Sequence, residues 1–140
     1  MTNRNLALII KDQNPLVMSQ SDSVQHACQH MAKRGVGAVL VTDARHRLAG
    51  IFTGRDAVRM LAHGQPAADT KLAAVMTRDP HAIGPECTAI EALRKMSDGG
   101  FRHLPIVVNE KILGIVSRGD FKGLELDRLE EETHLWERIG

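Results

Sequence analysis

The segments GIFTGRD (residues 50–56) and GIVSRGD (residues 114–120) place a glycine, two apolar residues, a hydroxyl residue and an aspartate in the same order. Such self-similarity is the mark of an internal repeat. Working outward from these segments, residues 14–31 align with residues 79–96 at an offset of 65, and the offset becomes 64 from Gly50 and Gly114 onward. The chain therefore consists of two copies of one unit, each about 60 residues long.

Each copy has the pattern of a β-α-β-β-α unit. The segments PLVMS (15–19) and PHAIG (80–84) predict short strands, and apolar stripes at i, i+3, i+4 and i+7 predict the helices that follow. Ser21, Asp22 or Ser23 can cap the first helix and Glu86 or Thr88 the second, while Gly35 and Gly99–Gly100 end them. Residues 37–43 with 47–53, and 102–108 with 111–117, predict hairpins across short polar turns. RDAVRMLAHG (55–64) and GDFKGLEL (119–126) predict a second helix in each copy.

The predicted fold is α/β (α+β), a single module in which two such units pack through their sheets with pseudo-twofold symmetry. One unit alone has too small a core to be stable. The predicted boundaries are about 8–65 for the first copy and 66–124 for the linker and second copy, followed by an amphipathic helix over about 125–140. Leu126, Leu129 and Trp136 lie on the apolar face of that helix, which can fold back on its own module, pack across a dimer interface or dock a partner protein.

Composition excludes several classes of protein. Aromatic residues make up 3% of the chain, which disfavours stacking platforms for single-stranded nucleic acid. No signal peptide or long apolar run is evident, so we expect a cytoplasmic protein without a membrane span. Residues 125–140 hold six acids and two bases, a net charge of −4, which leaves +5 on the other residues. A basic body favours anionic ligands, although a solvated mixed-charge surface explains the charge as well.

The repeated motif has a chemical and a structural interpretation. Thr53 and Ser117 can cap the following helix, whose N-terminus attracts phosphate, and Asp56 and Asp120 can accept hydrogen bonds from a ribose diol. The same spacing is also a plain capping box, in which the aspartate bonds to the backbone of the cap residue. The residues alone leave both interpretations open.

The doubled motif, together with NPLVMSQSDSVQHACQHM (14–31), RHLPIVV (102–108) and VMT (75–77), resembles a tandem pair of CBS domains, a Bateman module, over about residues 8–124. The resemblance implies a regulatory protein that binds AMP, ADP or ATP, with NAD or S-adenosylmethionine as alternatives, in clefts between the copies. It also implies a homodimer, no enzyme activity, no required cofactor, no metal, and signalling to an effector protein that the sequence does not identify. Since the repeat and the tail use up the chain, we expect a stand-alone protein of bacterial type. A structural dimerisation module without a ligand is the alternative.

The resemblance assigns two sets of residues to nucleotide binding. The favoured set, in which Arg102 and Arg118 can neutralise phosphate, consists of Ser117, Arg118, Asp120, Arg102, His103, Leu104, Pro105, Ala82 and Ile83. The second set consists of Thr53, Arg55, Asp56, Gly37, Ala38, Val39, Val17 and Met18. Because the second set lacks the equivalents of Arg102 and Pro105, we expect it to bind more weakly, to bind a less charged ligand, or to stay empty. Gly37 could equally make room for a bulkier ligand.

Other candidate chemistry is weaker. His26 and His30 are spaced i, i+4 and could share a metal, but no HExxH motif surrounds them, so an exposed histidine pair is the favoured interpretation. Cys28 and Cys87 form no CxxC motif and have no evident base, so we expect reduced, partly buried thiols.

Overall fold

The computed structural model describes residues 4–121, and these residues form two similar arrays of helices and strands. The helices are α1 (Leu6–Ile9), α2 (Val24–Arg34), α3 (Gly54–Ala62), α4 (Leu72–Val75) and α5 (Ala89–Gly99). The strands are β1 (Val17–Ser19), β2 (Ala38–Thr42), β3 (Leu48–Thr53), β4 (Thr77–Arg78), β5 (His103–Val108) and β6 (Lys111–Ser117), and a short 3-10 helix follows at Arg118–Asp120. The predicted helix over 125–140, with Leu126, Leu129 and Trp136, lies outside the described residues, as does most of the predicted helix over 119–126.

The two long helices begin and end at the residues that their capping chemistry favours. Ser23 caps α2 by accepting a hydrogen bond from the His26 N–H, and Thr88 caps α5 in the same way. Gly35 and Gly100 follow the two helices with φ of 66° and 72°, the left-handed conformation that glycine adopts without a steric cost. The predicted limits of both helices are therefore confirmed.

The first copy forms a four-stranded sheet in the order β1-β2-β3-β4. β1 runs parallel to β2, while β2–β3 and β3–β4 are antiparallel. All five residues of β2 are buried, as expected for a central strand with an apolar sequence. The predicted hairpin of β2 and β3 is thus confirmed, and the two flanking strands bring the segments before α2 and after α4 to the same sheet.

The predicted strand PHAIG (80–84) is wrong in its extent. Within this segment a single bridge joins Ile83 to Ile106 in parallel, where the first copy pairs three residues of β1 with β2. That bridge is equivalent by the repeat offset to the Met18–Val41 pair of β1 and β2. In the first copy, the N–H groups of Leu40 and Gln20 donate to the carbonyl oxygens of Leu16 and Thr42. The equivalent residues of the second copy are Pro105 and Pro85, which have no backbone N–H to donate, so the pairing is limited on either side of Ile83.

Two hydrophobic cores correspond to two compact units, and their boundaries interleave along the chain. The first-repeat unit comprises Asn14–His81 and Asn109–Ile112, and the second-repeat unit comprises Ala82–Val108 with residues 4–13 and 113–121. Leu6 and Ile10 from the start of the chain lie in the core of the second-repeat unit, while Leu72 and Met76 of the linker lie in that of the first. Each unit therefore takes its first helical turn from the segment that precedes the other copy.

These leading segments are themselves a third part of the repeat, which was not predicted. The Ala89 N–H donates to the carbonyl oxygen of Arg4 at 2.7 Å, and the Val24 N–H donates to that of Thr70 at 2.8 Å. The segments NLALI (5–9) and KLAAV (71–75) are similar at an offset of 66. This similarity is the sequence signal from which the repeat of the leading segments could have been predicted. The mixed α/β repeat architecture is confirmed, and packing of the two units through their sheets stays a prediction.

Candidate functional site

The motif of the first copy forms a complete capping box at the start of α3. The Thr53 N–H donates to Asp56 Oδ2 at 2.8 Å, and the Thr53 hydroxyl donates to the same oxygen at 3.0 Å. In return, the Asp56 N–H lies 3.3 Å from Thr53 Oγ1. The structural interpretation of the motif is therefore correct for this copy, whatever else the two side chains do.

The motif of the second copy repeats the contact at the end of β6. The Ser117 N–H donates to Asp120 Oδ2 at 2.7 Å, and the Ser117 hydroxyl lies 3.2 Å from the same oxygen. Here the described residues after the strand form a 3-10 turn at Arg118–Asp120, whereas α3 begins at the equivalent position of the first copy. The two copies thus hold an aspartate in the same local geometry, at the start of α3 in the first copy and in a 3-10 turn in the second.

The two aspartates differ in how much of the carboxylate a ligand can reach. Asp56 is buried, and its side chain retains 11% of its accessible surface. Its Oδ1 lies 3.6 Å from an Arg59 guanidinium nitrogen, one turn further along α3. Asp120 is exposed to solvent. A ribose diol can therefore approach Asp120 directly, whereas at Asp56 it would have to displace part of an existing ion pair.

Three arginines contact the turn that carries Asp120 or its neighbouring backbone in the second-repeat unit. The Arg118 N–H donates to the carbonyl oxygen of Arg102 at 3.0 Å, so the backbones of the two predicted phosphate-binding arginines are joined. Arg4 also reaches this turn, since its guanidinium donates to the carbonyl oxygen of Asp120 at 3.3 Å. Arg4 was not among the predicted site residues, because the segment that precedes the first copy gives no sign in the sequence of belonging to the second-repeat unit.

His103 lies close enough to Asp120 and Arg102 to respond to both charges. Burial lowers the pKa of His103 below its ordinary value of 6.5, Asp120 acts to raise it, and Arg102 lowers it further. The imidazole is accordingly neutral at pH 7 and offers one donor and one acceptor rather than a charge. His103 is thus suited to hydrogen bonding with a ligand that binds at Asp120.

The other predicted residues of the favoured set lie on β5 and on the segment that is bridged to it. The Ile83 N–H donates to the carbonyl oxygen of Pro105 at 3.1 Å, and the Val107 N–H donates to that of Ile83 at 3.0 Å. Ala82 is half-buried beside this bridge. The side chain of Leu104 is fully buried in the core of the unit, so Leu104 can offer a ligand only its backbone.

The second predicted set lies in the first-repeat unit with the same backbone arrangement. The Gly54 N–H donates to the carbonyl oxygen of Gly37 at 3.0 Å, which is equivalent to the Arg118–Arg102 bond, and Ala38 pairs with Thr53 across β2 and β3. Gly37 is exposed but has no side chain to offer a phosphate. Among the remaining members, Arg55 and Val17 are exposed, while Val39 and Met18 lie in the core.

The two cysteines have the properties of inert thiols. Burial is the main cause that raises the pKa of Cys28 above its usual 9.0. Burial likewise raises the pKa of Cys87, with Glu91 and Glu86 adding to the effect. Because the thiolate is the nucleophilic form, a raised pKa lowers the reactivity of both side chains.

Within residues 4–121, no helix has the length and apolar character that crossing a membrane requires. Over the same residues, the His, Cys, Asp and Glu side chains form no group of three that could hold a metal ion.

Comparison with known proteins identifies the family. The family model described as CBS domain matches residues 9–63 and again residues 72–126. The chain is 42% identical over 102 residues to the CBS domain-containing protein CBSCBSPB2 of Arabidopsis thaliana, a match that covers 72% of this chain and 19% of that protein. The chain therefore belongs to the CBS-domain family as a tandem pair, and it spans about a fifth of the length of the first curated relatives that it matches.

Solved structures of CBS pairs share the fold. A CBS domain protein from Pyrobaculum aerophilum, solved in complex with AMP, superposes with a TM-score of 0.81 at 19% identity, covering 91% of this chain and 98% of that one. The CBS domain pair of protein MJ0100, in complex with 5′-methylthioadenosine and S-adenosyl-L-methionine, superposes with a TM-score of 0.78 at 20% identity, covering 94% and 99%. Both similarities place this chain in the same fold.

Proposed function

We propose that this CBS pair is a regulatory module that binds an adenine nucleotide at the residues around Asp120. The observation that carries the proposal is the exposure of the Asp120 carboxylate on a turn fixed by Ser117, with Arg102 and Arg118 beside it. A carboxylate accepts both hydroxyl hydrogens of a ribose diol, and each such charged hydrogen bond contributes about 1.5–3 kcal/mol.

The arginines favour a phosphorylated ligand over a neutral nucleoside. Guanidinium groups bind phosphate oxygens through paired hydrogen bonds, and Arg102 is exposed while Arg118 is half-buried. AMP, ADP and ATP combine a ribose with such phosphates. NAD contains the same adenosine, and S-adenosylmethionine lacks the phosphates, so Arg102 and Arg118 favour the nucleotides over it.

The predicted difference between the two aspartate sites is part of the proposal. Asp56 is buried and faces Arg59, and the residue equivalent to Arg102 is Gly37. A ligand there would gain no phosphate contact from position 37 and would compete with an existing ion pair. We expect the Asp56 site to bind nucleotide more weakly than the Asp120 site or to remain empty.

The output of binding is proposed to be regulatory rather than catalytic. In this account the nucleotide changes the conformation or assembly of a homodimer, which an effector protein then recognises. CBS pairs are in general regulatory modules, and both thiols have raised pKa values that disfavour a nucleophilic role. The cytoplasm, where adenine nucleotides are abundant, is the proposed location.

A structural module without a physiological ligand is the second candidate. The observation that favours it is the capping box, because Thr53 and Asp56 already have a complete structural role without any ligand. The two candidates differ in whether any adenine compound stabilises the folded protein.

The experiment is a thermal and chemical unfolding series with AMP, ADP, ATP, NAD and S-adenosylmethionine on protein purified without added nucleotide. A ligand at 100 times its dissociation constant should raise the unfolding free energy by about 2.7 kcal/mol. We expect the largest increase with a phosphorylated adenosine. If none of the five stabilises the protein and none is retained through purification, the structural module is the better account.

A further inference from the structure

Two histidines on α2 form a cluster that the proposed nucleotide site does not use. The Nε2 atoms of His26 and His30 are 3.0 Å apart, and the ring centroids are 4.6 Å apart with the planes inclined by 59°. The two residues lie at i and i+4, on one face of a helix capped at both ends by Ser23 and Gly35. The two Nε2 atoms therefore meet in a hydrogen bond on one face of the helix.

We propose that His26 and His30 form a chelating site for a divalent transition-metal ion, which both Nε2 atoms bind. With metal–nitrogen distances of about 2.0–2.1 Å, the separation of 3.0 Å corresponds to an angle of about 94° at the metal. Adjacent ligands of a square-planar or tetragonal ion meet at close to a right angle, whereas tetrahedral zinc needs a wider angle. Cu(II) prefers the former geometry and stands highest in the general affinity order, so Cu(II) fits the pair best.

Asp22 lies near the Nδ1 atom of His26. Its Oδ1 lies 3.9 Å from His26 Nδ1, and its Oδ2 accepts a hydrogen bond from the Ser19 N–H at 2.9 Å. A fixed carboxylate near Nδ1 favours the tautomer with the hydrogen on that nitrogen. In the metal-free protein, His26 Nε2 then accepts a hydrogen bond from the Nε2–H of His30, and His30 must carry its hydrogen on Nδ1 when both Nε2 atoms bind a metal ion.

The surroundings indicate a reversible surface site. His26 is exposed and His30 half-buried, so an ion can reach both nitrogens from solvent. Cys28, which lies between the two histidines in the sequence, packs against the core of the first-repeat unit. Two protein ligands leave the remaining coordination positions to water or to an external donor. This site does not depend on the proposed nucleotide function.

The test is a Cu(II) titration of the untagged full chain, followed by isothermal calorimetry and pulsed electron paramagnetic resonance. The wild-type protein should bind one ion with the echo modulation of two imidazoles. His26→Gln and His30→Gln should each weaken binding by about 100-fold, since the second contact is intramolecular, and should leave the modulation of one imidazole. His63→Gln, an exposed histidine at the end of α3, is the matched control and should change neither quantity.

Circular dichroism of each variant will establish that α2 remains folded, so that a loss of binding reports on the imidazole. The proposal is overturned if the two-imidazole signal survives either substitution on α2. It is also overturned if His63→Gln reduces binding as much as His30→Gln, or if the wild-type protein binds Cu(II) no more tightly than the variants on α2.

Discussion

Close contacts at Gly50 and Gly114 explain why a glycine begins both copies of the motif. A Cβ atom on Gly50 would lie 2.6 Å from the Met76 sulfur and 2.8 Å from the Thr77 carbonyl oxygen. A Cβ on Gly114 would lie 2.6 Å from the Gln13 Oε1 and 3.0 Å from the Ile10 Cβ. Each glycine therefore leaves room for a segment that packs against its strand. This is a structural reason why the glycine occurs in both copies of the motif.

Substituting alanine at Gly50 should destabilise the protein by about 1–3 kcal/mol, because the new methyl group has no room beside buried Met76 and the Thr77 backbone. Gly54→Ala is the matched control, since a Cβ there has no neighbour within 4 Å and the position is helical. Urea unfolding of both variants measures the difference. Equal stability of the two variants would show that the close approach at Gly50 has no energetic consequence.

His103 should make stability depend on pH. Because burial lowers the pKa of His103 in the folded protein, the unfolded chain binds a proton more readily over the range just below the ordinary value of 6.5. His103 therefore makes its full contribution to the unfolding free energy above pH 6.5. This contribution decreases as the pH falls below that value. His103→Gln should make the unfolding free energy less steep between pH 7.5 and 5.5. An unchanged slope would contradict this assignment.

At the scale of the elements, the two copies pair β3 and β6 with different partners. In the first copy, Ile51 of β3 pairs with Thr77 of the short strand β4. In the second copy the equivalent Ile115 bonds to a side chain: Gln13 Oε1 accepts from the Ile115 N–H at 2.6 Å, and Gln13 Nε2 donates to the Ile115 carbonyl oxygen at 2.7 Å. The amide of one side chain thus replaces a strand, which explains the absence of a β4 equivalent in this part of the described structure.

Gln13→Ala should cost about 1–3 kcal/mol of unfolding free energy, since it leaves the Ile115 N–H and carbonyl oxygen without these partners in a partly buried place. Gln29→Ala, at an exposed position of α2, is the control. Hydrogen exchange should show faster exchange of the Ile115 amide in the Gln13 variant. If the Ile115 amide exchanges at the wild-type rate in this variant, the Gln13 side chain does not protect that amide from exchange.

At the scale of the whole molecule, periodicity and capping chemistry predicted the long helices and the hairpins, because those signals are local. They did not predict α1, α4 or the interleaved units, because a four-residue helix such as Leu6–Ile9 has too few residues to show a period. The difference in exposure between Asp56 and Asp120 was equally invisible in the sequence. It depends on α3 in one copy and a three-residue turn in the other.

The most direct measurement of the central claim is calorimetric binding of AMP to the wild-type protein, Asp120→Asn and Asp56→Asn. Asp120→Asn and Asp56→Asn remove the same charge from equivalent capping contacts. Each variant is therefore the control for the effect that the other substitution has on local folding. We predict that Asp120→Asn loses about 10-fold or more in affinity, since a charged hydrogen bond contributes about 1.5–3 kcal/mol. Asp56→Asn should lose much less. Equal losses in the two variants, or wild-type affinity in Asp120→Asn, would contradict the account.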